Sequence, residues 1–199
     1  MSRNMPLLMK DLLRNQSQEG SAAQKQHDAG AYRTALISVL VDNESGVLAR
    51  VIGLFSGRGY NIDSLTVASV ESDDGVYAGR SRINILTSGT EMVIEQIKAQ
   101  LDRLVPVHRV MDLTMQGPYL ARELALIKVV AHGENRVEAL RLADAFRAKV
   151  IDATLESFVF EMTGDPDKLD AFLELMRPLG LAEVSRTGVA AILRGAGTI

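Results

Sequence analysis

"LVDNESGVLARVIGLFSGRGYNIDSLTV", Leu40–Val67, contains the end of a strand, a helix and a second strand, separated by two polar turns. The apolar run Ala35–Val41 ("ALISVLV") has the length of a strand and stops at Asp42-Asn43-Glu44-Ser45-Gly46. Val47, Leu48, Val51, Ile52, Leu54 and Phe55 then recur at helical spacing, which predicts a helix with one apolar face. Gly57 and Gly59 punctuate its end. "NIDSLTVASV" predicts a strand that starts at Asn61 and Ile62 and carries Leu65 and Val67.

Downstream, "ESDDG" reads as a turn, and "RSRINILTS" alternates through Ile83 and Ile85 as a third strand. "GTEMVIEQIKAQLDRL" gives a second amphipathic helix through Met92, Ile94, Ile97, Leu101 and Leu104, and "VPVHRVMDLT" a fourth strand. The order β-α-β-β-α-β is that of a ferredoxin-like sandwich, with four antiparallel strands covered on one face by two helices. In its 4-1-3-2 strand order the second strand lies at the sheet edge.

The pattern then repeats. "ELALIKVV" (Glu123–Val130) is a strand like "ALISVLV". "NRVEALRLADAFRAKV" is helical, with Val137, Leu140, Leu142 and Phe146 expected inward. "VIDATLES" echoes "NIDSLTVAS" through the shared Ile-Asp pair, and "FVFEMTG" is the next strand. "DPDKLDAFLELMRPLG" is a helix with Pro166 in its first turn, and "AEVSRTGVAAIL" reads as one last strand. The fold class is therefore α+β, with two tandem ferredoxin-like βαββαβ domains at residues 32–116 and 121–197 and a linker near 115–121. Residues 1–31, rich in small and polar side chains, read as a disordered tail in which "MPLLMKDLL" could form a short helix.

Composition narrows the function. The 199 residues include no Cys, which excludes disulfides, thiolate metal sites and a Cys nucleophile. A formal charge of -3 gives no general attraction to nucleic acid or anionic lipid, and aromatics at 5% without Trp offer no base-stacking platform. No apolar run is long enough for a membrane span and the first residues carry no secretory-signal pattern, so the expected location is cytoplasmic. His27, His108 and His132 have no second His at i+3 or i+4, so no helical metal pair exists. There is no GxSxG elbow, P-loop lysine motif or GxGxxG opening a helix, and no catalytic residue is expected.

What the first turn offers is binding. Asn43 or Ser45 is placed to cap the helix, and Gly46 lets a ligand approach the backbone. The amides of Gly46, Val47 and Leu48 point out of a helix N-terminus, where partial positive charge favours a carboxylate. Such clusters are ordinarily caps and nothing more. The second turn, around Asn61 and Ile62, leads into the edge strand. Edges are often managed by pairing with a second copy, and a two-fold axis would bring Asn61 of one chain toward Asn43–Gly46 of the other.

Read as a whole, "ISVLVDNESGVLARVIGLFSGRGYNIDSLTV" closely resembles the ACT domain of the small regulatory subunit of acetolactate synthase, also called acetohydroxyacid synthase. The N-E-S-G turn (Asn43–Gly46), the L-x-R-V-x-G-L-F helix (Leu48–Phe55), R-G-Y-N-I (Arg58–Ile62) and S-L-T-V (Ser64–Val67) carry the likeness. It extends over about residues 33–195. Asp42 stands where Glu is common, and no inserted nucleotide-responsive loop of the fungal kind is seen. The resemblance implies a non-catalytic partner that activates the catalytic subunit and confers feedback inhibition by valine. Thiamine diphosphate, FAD and Mg²⁺ would belong to that large catalytic subunit, and none to this chain. Asn43, Gly46, Val47 and Leu48 of one chain, with Asn61 and Ile62 of the other, would hold the effector at the interface of an ACT homodimer.

Two other classes share the fold. A stand-alone ACT-domain amino-acid sensor or transcription regulator lacks support from any helix-turn-helix segment. An RNA-binding ferredoxin-like module needs exposed aromatics on its central strands, and "ALISVLV" and "RSRINILTS" provide none.

Overall fold

The computed structural model describes residues 31–70 and 78–199. Residues 1–30 of the expected N-terminal tail and the "ESDDG" turn lie outside the described residues. The first unit runs β1 (Tyr32–Asp42), α1 (Val47–Arg58), β2 (Ser64–Val70), β3 (Arg80–Thr90), α2 (Glu91–Leu101) and β4 (Val107–Asp112). Its four strands are antiparallel in the order β2-β3-β1-β4, so β2 is an edge as expected. The second unit runs β5 (Tyr119–Val130), α3 (Gly133–Phe146), β6 (Lys149–Ala153), β7 (Ser157–Gly164), α4 (Pro166–Met176), a 3-10 turn (Arg177–Leu179), β8 (Leu181–Arg186) and β9 (Ala190–Leu193). Its order β6-β7-β5-β8 repeats the first. Even an irregularity recurs, since the register shifts at Leu40/Val41 in β1 and at Lys128/Val129 in β5, just before the end of each strand.

Each sheet buries one face under two helices. Ile37, Val39, Ile83 and Ile85 meet Val51 and Phe55 of α1 and Ile94, Ile97 and Leu101 of α2. In the second unit Ile127 and Phe160 meet Ala139 and Ala143 of α3 and Leu169 and Phe172 of α4. Each large apolar side chain buried this way contributes about 1.5–3 kcal/mol.

Several expectations need correction. Helix α1 buries only Val47, Val51 and Phe55, a line at i, i+4, i+8. Leu48 and Ile52 sit one residue further round the helix and stay 37% and 39% exposed. Met92 at the start of α2 is exposed. In α3, Val137 and Leu140 face out, at 52% and 38% exposure, while Ala139 and Ala143 are buried and Leu142 and Phe146 pack partly against the core. The sheet beneath α3 already carries the bulky Phe158 and Phe160, so small side chains fit between helix and sheet. The predicted last strand is two. β8 pairs with Ala125–Val129 of β5, the chain turns at Thr187-Gly188, and β9 pairs with Tyr119–Arg122.

This break in the last strand creates the junction between the units. The β5–β9 ribbon lies against the face of the first sheet opposite its helices. Leu36, Met111 and Leu113 pack there with Val189, Ala191 and Ile199, flanked by Leu86, Tyr119, Ala121 and Leu193. Residues 119–121, read as linker from sequence, are thus strand. β1 is buried on both faces, by helices on one side and ribbon on the other.

Candidate functional site

The β1–α1 turn is held by its backbone. Asp42 donates its amide to Pro106 O at 2.9 Å and Asn43 to Gly79 O at 2.8 Å. Gly46 has φ +90 and precedes the helix without any side-chain cap, contrary to the expectation for Asn43 or Ser45. Asn43 reaches sideways instead, its Nδ2 donating to Ser69 Oγ at the far end of β2 at 3.4 Å. The first backbone bond of the helix is Arg50 N to Gly46 O, 3.0 Å. Of the first-turn amides, that of Val47 makes a long bond to Glu44 O at 3.5 Å, while those of Gly46 and Leu48 lie on exposed residues at the positive pole of α1. Nothing lies within 4 Å of where a Gly46 Cβ would stand. Asn43 and Gly46 are exposed, and Leu48 offers apolar surface beside them. The Val47 side chain is buried in the core, so this residue can offer a ligand only its backbone amide, which here makes the long bond to Glu44 O.

The second turn follows Gly59. Asn61 and Ile62 precede β2 rather than starting it, since the strand begins at Ser64. Asn61 Nδ2 donates to Asp63 Oδ1, and Asn61 O accepts from Thr87 Oγ1 at 2.6 Å. Asp63 Oδ2 accepts from Ser88 Oγ at 2.7 Å, and the Asp63 amide donates to Leu86 O at 2.8 Å. Asn61 is exposed and Ile62 half-buried.

Within one chain these turns are apart. The 12 residues of α1 separate Gly46 from Gly59, a span of about 18 Å. The same separation appears along β2, where Asn43 touches Ser69 at one end and Asn61 precedes Ser64 at the other. The residues Asn43, Gly46, Val47 and Leu48 form one cluster and Asn61 with Ile62 another. The partners Ser69 and Asp63 were not singled out from sequence. Asn61 and Asp63 meet side chain to side chain at i and i+2, and that short spacing was the available signal for the latter.

Other polar clusters are structural. His108 Nε2 pairs with Asp42 Oδ1 behind the first turn. Arg33 bridges Glu91 and the buried Asp112, and Thr114 closes the group. Bonding to the Glu91 carboxylate, together with Asp112, raises the Arg33 pKa, and the guanidinium in turn lowers that of Glu91. Among the described residues no three His, Asp or Glu side chains assemble as a metal site. No helix among them is long and apolar enough to cross a membrane.

Residues 37–109 match the family model described as an AHAS small subunit-like ACT domain, and residues 122–195 match that for the small subunit of acetolactate synthase. The chain is 48% identical over 161 residues to the acetolactate synthase isozyme 3 small subunit of Salmonella typhimurium, covering 80% of this chain and 95% of that one. The chain belongs to the acetolactate synthase small-subunit family. A further member, the probable acetolactate synthase small subunit of Archaeoglobus fulgidus, is 46% identical over 159 residues, 80% of this chain and 96% of its own. Among solved structures, the small subunit of acetolactate synthase from Thermotoga maritima superposes with a TM-score of 0.72 at 37% identity, covering 83% of this chain and 99% of that one. The family match spans both units, so the ACT-like sheet and its ferredoxin-like repeat belong to it together.

Proposed function

We propose that this chain regulates acetolactate synthase and does no chemistry itself. It raises the activity of the large, thiamine-diphosphate-dependent catalytic subunit and makes that subunit sensitive to valine, in branched-chain amino acid biosynthesis. Thiamine diphosphate, FAD and Mg²⁺ belong to the catalytic subunit. The observation that carries the reading is the position of the two turns at opposite ends of the edge strand β2. Two copies pairing β2 with β2 about a two-fold axis run antiparallel, which sets the Asn61 end of one strand against the Ser69 end of the other. Asn61 and Ile62 of one protomer then close over Asn43, Gly46, Val47 and Leu48 of its partner. The amides at the start of α1 receive the valine carboxylate, the Asn side chains receive its ammonium group, and exposed Leu48 with Ile62 lines the space for the isopropyl group.

The test mixes the chain with a catalytic subunit and assays acetolactate formation with and without valine. Activation and valine inhibition are expected. Gly46→Asp places a carboxylate where the effector carboxylate would sit, and Asn43→Ala removes a polar contact, so both are expected to relieve inhibition while activation persists. Unchanged inhibition in both variants would overturn the site.

A further inference from the structure

We propose that Ser64 and Thr66 form a latch that carries the state of the effector turn into the second domain, an inference that rests on the effector reading above. The two residues lie at i and i+2 on β2, so their side chains share the face away from α1 and α2. Between them they hold the backbone of Val189. Ser64 Oγ accepts from the Val189 amide at 2.9 Å, and Thr66 Oγ1 donates to the Val189 carbonyl at 3.0 Å. Two hydroxyls of one domain thereby replace the strand partner of a buried residue in the other.

The latch is tied at both ends. On the second domain's side, Gly188 approaches so closely that a Cβ there would stand 2.7 Å from Ser64 Oγ. The Gly188 amide donates to Glu123 Oε1 at 3.0 Å. Glu123, only 5% exposed, also pairs with Arg186, which in turn bonds Asp170 on α4. On the effector side, Asp63 directly precedes Ser64 and accepts from Asn61. A series of hydrogen bonds and adjacent residues thus runs from Asn61 through Asp63 and Ser64 to Gly188, Glu123, Arg186 and α4.

The latch has two discrete states. Closed, the Val189 amide and carbonyl are satisfied by Ser64 and Thr66. Open, both must take water. Hydrogen bonds weaken steeply with misalignment, so a small displacement at the start of β2 registers as a switch between these states. An effector that orders Asn61 differently shifts this equilibrium by its differential affinity for the two states.

The test uses the full chain reconstituted with a catalytic subunit, and the double variant Ser64→Ala with Thr66→Val, which removes both hydroxyls at nearly constant volume. Calorimetry is expected to show valine still binding to the free chain, because the effector contacts are untouched, with an affinity weakened by no more than the rise in half-inhibition, as linkage between latch and effector requires. Activation is expected to persist, while the valine concentration for half-inhibition rises by about fivefold or more. Thr66→Ser, which keeps the hydroxyl, is expected to inhibit as the parent does. Hydrogen exchange at the Val189 amide reports opening directly, and the double variant should lose its protection. A double variant inhibited at the parent's valine concentration overturns the latch alone. One that no longer binds valine also overturns it, because the hydroxyls would then serve the effector site itself. A parent that valine does not inhibit overturns the effector reading and the latch together.

Discussion

Gly180→Ala, compared with Gly46→Ala, tests how closely the second sheet is assembled. Both glycines have positive φ, +106 and +90. An alanine in that region costs about 1–2 kcal/mol at either position. Their surroundings differ. A Cβ on Gly46 meets nothing within 4 Å, whereas one on Gly180 would stand 2.1 Å from Val130 O. That carbonyl has to retreat by about 1.3 Å or more to restore ordinary contact. Val130 also donates its amide to Gly180 O at 2.9 Å, so the retreat pulls apart the bond joining the end of β5 to the start of β8. Losing that bond adds about 0.5–1.5 kcal/mol, and the displaced neighbours Leu179 and Leu181 add a similar amount. The expected cost is about 2–5 kcal/mol for Gly180→Ala against about 1–2 kcal/mol for Gly46→Ala. Urea unfolding followed by circular dichroism measures both, with the slope checked for constancy. At about 2–4 °C per kcal/mol, the melting temperatures of the two variants should differ by several degrees. Equal destabilisation would refute the close approach of Gly180 to Val130.

Phe172 is fully buried on α4, with ring centroids 5.3 Å from Phe146 and 6.2 Å from Phe160, so Phe172→Ala is expected to cost about 3–5 kcal/mol in the same unfolding assay. Glu91 is held below its ordinary value of 4.5 by the hydrogen bond from Arg33. The folded chain thus favours the carboxylate. The stabilisation is complete above the unfolded value and fades as pH falls through the lower folded one. An NMR titration should place the Glu91 midpoint below 4.5 in the parent and return it toward 4.5 in Arg33→Gln.

The order of strands and helices was legible because periodicity follows from which face meets a core. Its errors have physical causes. Val137 and Leu140 read as inward because they are apolar residues of a helical pattern, yet the phenylalanines of the sheet leave room only for Ala139 and Ala143. The final run reads as continuous only if Gly188 is passed over; this isolated glycine, at φ +85, marks the corner that delivers Val189 to the other domain. The apolar run "ALISVLV", broken only by Ser38, did carry a signal that both faces of β1 are covered, since a strand with one wet face alternates. At the site, Gly46 and the two Asn positions were recognisable as turn residues. The lateral reach of Asn43 to Ser69 was not, because it depends on strand order rather than on sequence neighbours.

The strand β5 has a mechanical consequence. Its 12 residues run for about 40 Å without a break. Its first third forms a ribbon with β9 on one sheet, and the remainder is a central strand of the other. A duplicated unit is commonly strung to its twin by a slack tether, and each half then tumbles at will. Here a girder bypasses the short turn at 113–118, so torque applied to one half is delivered to the other instead of dissipating in a loop.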